Sequence, residues 1–178
     1  MLEKIFELFL KMEKGEKIEN PHTSIATDIV IPDFITEIIG AESNKVFFTR
    51  LSLKHLAEKD KEGRRLFKLI PHILENPDEV RISKKYDNRF IFYKIFAGVK
   101  KNRPHIVNLE ITKTNTTIVV TAFQTNANYL KNFELLWRTA GGIRNAPFPP
   151  SQHSSETNGG SSRLSALKEA RNSRNNPP

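Results

Sequence analysis

At 178 residues the chain has the length of one domain with a tail, enough to bury a core. Its 28 Lys/Arg against 20 Asp/Glu leave a net charge of +8 and a pI near 9.7, an excess that points to a polyanionic partner, nucleic acid or an acidic membrane surface. The absence of cysteine excludes disulfides, thiolate zinc sites and cysteine nucleophiles, and no apolar run approaches the ~20 residues of a spanning helix.

The opening "MLEKIFELFLKMEK" places Leu2, Ile5, Phe6, Phe9 and Met12 three and four residues apart, the spacing of one helical face, and Gly15 stops it. Acidic residues on its polar side favour a docking helix over a membrane anchor. They also argue against a secretion signal, so the expected location is the cytoplasm, of the producing cell or of a cell into which the protein is delivered. "TDIVIPDFITEIIG" suits a short strand or a turn of helix around Pro32. "NKVFFTR" predicts a strand, after which Ser52 is expected to cap a helix carrying Leu53, Leu56 and the Lys54-His55 pair. A second helical segment presents Leu66, Phe67, Leu69, Ile70, Ile73 and Leu74. Pro71 kinks or restarts it, and "NPD" at 76–78 ends it.

Four runs follow that are rich in Val, Ile, Phe, Tyr and Thr: "EVRISKKY", "RFIFYKIFAGV", "HIVNLEITKT" and "TTIVVTAFQT". Their short connections force neighbouring strands antiparallel. "NYLKNFELLWRTAGG" reads as a closing helix with Leu130, Phe133, Leu136 and Trp137 on one side. The Ser/Asn/Pro/Gly-rich remainder predicts a disordered tail, within which "SRLSALKEARN" suits a short helix on a partner. The expected fold is therefore α+β: N-terminal helices packed on a four-stranded antiparallel β-meander, with a C-terminal helix and a disordered tail.

Charge divides the chain as well. Residues 1–42 hold four Lys/Arg against nine Asp/Glu, whereas 43–105 hold sixteen against seven. We therefore expect an acidic helical segment at 1–42 able to cover a basic face, a domain at 43–143, and the low-complexity tail at 144–178.

In a one-sided sheet the open face is a natural platform for a ligand. Lys94 is expected on that face, in the second strand of the meander. Thr121 is a hydroxyl in the otherwise apolar "VVTAF", and Arg50 ends the "KVFFTR" strand just before Lys54 and His55. A lone His on a helix is more often structural than catalytic, and a strand Thr is usually there for its β-propensity. The basic surroundings raise His55 above His72, which falls among Ile70, Pro71 and Ile73 at the expected kink.

"FFTRLSLKHLAEKD", "IPHILENPDEV" and "TIVVTAF", in this order, make the chain from Val46 to about Gly142 resemble the barnase–EndoU–colicin–RelE superfamily of metal-independent ribonucleases. The likeness is greatest to the compact branch of phage-borne polyvalent proteins and toxin modules. The basic-His pair, often Arg-His in such toxins, is Lys54-His55 here, which keeps the charge but not the bidentate fork. The resemblance implies a toxin-like endoribonuclease acting through the substrate's 2′-hydroxyl on tRNA or ribosome-associated mRNA, without metal or other cofactor. It also implies a cognate antitoxin or immunity protein. The chemistry needs a proton donor and acceptor, which histidine serves near neutrality, and cations or donors on the phosphate. On this reading His55 moves protons, Lys54, Arg50 and Lys94 bind the phosphate, and Thr121 orients it. Arg81, Lys84 and Lys85 bind flanking RNA, while Tyr93 and Phe123 stack bases. The rival reading is a non-catalytic nucleic-acid-binding or phage-associated module that uses the same basic face.

Overall fold

The computed structural model describes residues 1–17, 19–96 and 103–139, with the side chains of Asp60 and Ala127 left aside. The tail expected at 144–178 and its short helix lie outside the described residues.

The elements run α1 (Leu2–Glu13), β1 (Ser24–Val30), α2 (Asp33–Ile39), β2 (Lys45–Thr49), α3 (Arg50–Ala57), α4 (Asp60–Glu75), β3 (Glu79–Ser83), β4 (Arg89–Lys94), β5 (His105–Ile111) and β6 (Thr117–Gln124). A 3₁₀ turn (Ala127–Asn132) and β7 (Phe133–Arg138) follow. The strands form one seven-stranded sheet in the order β1-β2-β6-β5-β4-β3-β7. All pairings are antiparallel except β2 with β6, which is parallel.

A four-stranded antiparallel sheet closed by a C-terminal helix is therefore not what forms. The four runs expected as strands do become β3 to β6, paired in sequence. The sheet is widened on one side by β2 and β1 and on the other by β7, and the parallel contact makes it mixed. The expected closing helix is replaced by the 3₁₀ turn, which crosses the sheet, and by β7, which pairs with the outer edge of β3. Leu130, Phe133, Leu136 and Trp137 fit a helical stripe, but Phe133-Glu-Leu-Leu-Trp also suits a strand. The open edge of β3 supplies hydrogen bonds that a surface helix would not satisfy there.

The helices lie on one face of the sheet. Ile5 and Phe9 of α1, Ile35 and Ile39 of α2, Leu53 and Leu56 of α3, and Leu66, Ile70 and Leu74 of α4 bury against Phe48, Phe90, Phe92, Val107, Leu109 and Val119. Phe67 gathers Phe9, Phe6 and Phe48 around it at ring separations of 5.3, 5.4 and 5.7 Å. Within the segment expected as an acidic cover, α1 contributes Phe9 to this core and β1 pairs with β2. α3 starts with a reciprocal cap: Thr49 accepts from the Ser52 amide and Ser52 accepts from the Thr49 amide, both at 3.0 Å. The N-cap is thus Thr49, and Ser52, expected in that role, is its partner. α4 continues through Pro71. The other face of the sheet is covered in part by the 3₁₀ turn, where Ile91, Tyr93, Ile106, Leu130 and Phe133 form a second, smaller cluster.

Candidate active site

α3 and α4 meet at a corner of two residues, Glu58 and Lys59. Gly63 makes the corner tight, because a Cβ added there would sit 1.9 Å from the carbonyl oxygen of Leu56. The first turn of α4 thus rests directly on the backbone of α3 and carries Lys59 to the end of β6. Beyond Val119, no strand among the described residues lies beside β6 on this edge, since β2 has already passed into α3. Lys59 occupies the gap. Its ammonium donates to the Ala122 carbonyl (2.7 Å) and the Thr121 hydroxyl (3.4 Å) and lies 5.6 Å from the centre of the Phe123 ring. Burial pulls the Lys59 pKa below its ordinary value, opposed by the carboxylate of Glu62.

One turn and a half further along α4, Arg65 reaches the same end of the sheet. Its Nη2 lies 3.4 Å from both His105 Nε2 and Gln124 Oε1. Strand register explains the grouping: Lys94 on β4, His105 on β5 and Gln124 on β6 stand side by side in one row. His105 is fully buried, edge-on to Phe96, and its Nδ1 has no well-formed hydrogen bond. Burial first, and then the charge of Arg65, push this imidazole below its usual range, against Glu62 and the Arg103 backbone. Held neutral, it can accept through Nε2 from the guanidinium.

Most of the other engaged cations are neutralised by carboxylates: Lys54 by Glu58, Arg64 by Glu13, Arg81 and Arg138 by Glu79, Arg89 by Glu110 and Lys94 by Asp78. Among the described residues Lys59 and Arg65 form no ion pair; neutral acceptors at the end of the sheet hold both. Lys59 is partly buried with no carboxylate in contact, which is unfavourable by itself and a common mark of an anion site, whereas Arg65 is exposed.

The residues singled out from sequence divide unequally around this cluster. Thr121 and Phe123 are in it, as the acceptor for Lys59 and the ring beside it. Lys94 is not on an open face. Two residues from Phe92, it shares that residue's helix-covered face and pairs across the strands with His105, while its ammonium bonds the Asn76 carbonyl and lies 3.5 Å from Asp78. His55 stands on the exposed side of α3, its side chain 52% accessible and its Nδ1 3.3 Å from Glu58, which also binds Lys54 at 3.7 Å. Arg50 donates to the Glu19 carbonyl (2.8 Å) and, with its own amide and that of Leu51, anchors the segment leading into β1. Arg81 is bound to Glu79 at 2.7 Å. Tyr93 is buried, its phenol pushed up to about 12 by burial and by Glu79 and Asp78, so its ring faces protein rather than solvent. Lys84 and Lys85 sit on the exposed β3–β4 turn.

Sequence reasoning did not single out Lys59, Arg65, His105 or Gln124. None of the four carried a usable signal: Lys59 follows His55 by four residues, but the helix ends at Ala57 and the chain turns before Lys59. No group of three or more His, Asp or Glu side chains among the described residues is placed to hold a metal ion, and no described helix is long and apolar enough to cross a membrane.

No curated protein and no solved structure matches the chain. Residues 24–138, from the first strand to the last, match the family described as phage-Barnase-EndoU-ColicinE5/D-RelE like nuclease 2. The match takes in every strand of the sheet together with the α3–α4 corner, and the chain belongs to this family of phage-related nucleases.

Proposed function

We propose that the protein is a metal-independent endoribonuclease whose scissile phosphate is held at the end of β6 by Lys59 and Arg65. The observation that carries this reading is that these two cations are fixed by neutral acceptors while most of their neighbours are tied to carboxylates. Thr121 accepts from Lys59, which leaves its own hydroxyl hydrogen for a non-bridging phosphate oxygen. His55, exposed on α3 in the strand-to-helix motif that carries the family likeness, serves as the proton-transfer group once Glu58 releases it.

In the reaction the substrate's 2′-oxygen attacks phosphorus as its proton passes to a base. The bond to the 5′-oxygen breaks, and that oxygen takes up a proton. The products are a 2′,3′-cyclic phosphate and a 5′-hydroxyl. Negative charge that builds on the non-bridging oxygens is met by the ammonium and guanidinium already in place, the electrostatic contribution that usually dominates such catalysis. Lys54 and Lys94 join by exchanging Glu58 and Asp78 for phosphate oxygens, and Phe123 offers a ring to a neighbouring base. As a toxin-like enzyme it would act on cellular RNA, and an antitoxin or immunity protein would cover the same cations.

The test is incubation of the purified chain with single-stranded RNA in excess EDTA. We expect cleavage by the wild type and a loss of roughly a hundredfold or more for His55→Ala. Cleavage that needs a divalent ion, or that is unchanged in His55→Ala, overturns the assignment.

A further inference from the structure

The β3–β4 turn lies at the far end of the sheet from the Lys94–His105–Gln124 row. β4 begins at Arg89 opposite Glu110 and ends at Lys94 opposite His105. At its tip Tyr86 is 41% exposed, although it is a large aromatic side chain. The ring is held in a defined place: the Arg89 guanidinium lies 4.5 Å from its centre and is itself fixed to Glu110 at 2.9 Å. Lys85 Nζ lies 5.2 Å from the same centre. The backbone beneath is ordered as well. Ser83 Oγ accepts from the amides of Lys85 and Tyr86, each at 3.2 Å, and the Lys84 amide donates to the Asn132 carbonyl at 3.1 Å.

We infer that this tip is a second contact for single-stranded RNA, at which an unpaired base stacks on Tyr86 while Lys84 and Lys85 take the adjoining phosphates. An ordered ring among cations is what stacking plus phosphate binding requires, and a ring fixed in advance loses little freedom when a base covers it. An apolar protein partner would have to bury the cations around the ring, and an acidic peptide would have no use for its face. The inference rests on the nuclease reading for the identity of the polyanion, and it narrows the substrate class. The six residues from Arg89 to Lys94 span about 17 Å in five steps, so one nucleotide cannot touch both sites, and roughly five nucleotides at a stacked rise of ~3.4 Å are needed to join them. The enzyme should therefore distinguish RNA by length.

The test uses the full chain and uncleavable 2′-O-methyl oligonucleotides of four and twelve nucleotides, with binding read by fluorescence anisotropy. Tyr86→Ala should weaken the twelve-mer about tenfold or more and leave the four-mer within twofold, while Tyr86→Phe, which keeps the ring, should bind as wild type. The double variant Lys84→Ala/Lys85→Ala should weaken the twelve-mer and lower its salt dependence by a slope of roughly 0.7 for each phosphate that a lysine no longer neutralises. Equal binding of the twelve-mer by Tyr86→Ala and wild type, or an equal weakening on both lengths, overturns the inference while leaving the nuclease reading intact. If neither oligonucleotide binds wild type, both fall.

Discussion

Replacing Lys59 by Met removes the ammonium and keeps most of the side chain's length and apolar stem. A phosphate oxygen about 4 Å from this half-buried charge would gain about 4 kcal/mol at an effective dielectric of 20. Partial exposure and screening reduce that to roughly 3 kcal/mol, or about 150-fold in rate. The ground-state phosphate is also anionic, so the loss should divide between KM and kcat and appear in full in kcat/KM. Ala122 is buried, so its carbonyl, left without a donor, should cost the fold about 1–3 kcal/mol, a loss to be read separately from activity. The assay is kcat/KM on a short RNA in EDTA, with a urea melt of the same preparation. Lys59→Arg should recover part of the activity, since it restores charge but not the same geometry. A folded Lys59→Met protein whose kcat/KM stays within threefold of wild type refutes the reasoning, because the cation would then not meet the phosphate.

Three further outcomes follow from the packing. Gly63→Ala drives a Cβ to 1.9 Å from the Leu56 carbonyl, so instead of the ~1 kcal/mol gain expected of alanine in a free helix it should lose about 1–3 kcal/mol in a denaturant melt, and activity with it as Lys59 shifts; a gain in stability contradicts the tight corner. His105 is buried with its pKa below the ordinary 6.5, so below that pH the unfolded chain binds a proton that the folded one refuses; stability should be full above pH ~6.5 and fall as pH drops through the lower folded value, and His105→Gln should flatten urea midpoints measured from pH 7.5 to 5. Glu79, 3% exposed, neutralises both Arg81 and Arg138 and so ties β7 to β3; Glu79→Gln should cost roughly 2–4 kcal/mol, less than for a wholly buried pair because Arg138 is half exposed, and a change below 0.5 kcal/mol would show the network to be idle.

What could be read in advance was local. Alternation and turn residues between Glu79 and Gln124 mark four strands and their order, because hairpins join neighbours and their patterns repeat every two residues. The outer strands depend on distant partners. β2 finds β6 some seventy residues away, and β7 takes the free edge of β3, a choice that a six-residue window with both helical and strand spacing cannot reveal. The site divides in the same way. His55 and Thr121 stand out as unusual residues in their surroundings, and the strand-to-helix motif around His55 carries the family likeness. Lys59 and Arg65 are two cations among 28, and only the neutrality of their partners, with the partial burial of Lys59, marks them out. The placing of Lys94 on the open face failed on simple parity, since a residue two positions from Phe92 must share its face.

The most direct measurement of the central claim uses a DNA strand carrying one internal ribonucleotide, incubated with the enzyme in EDTA, followed by analysis of the cut ends. Attack by the neighbouring 2′-hydroxyl on a phosphate held by side-chain cations predicts a single cut, 3′ to the ribonucleotide, with a cyclic phosphate on one fragment and a 5′-hydroxyl on the other. Cuts in an all-DNA control, 3′-hydroxyl and 5′-phosphate ends, or no cut until a divalent ion is added would contradict it.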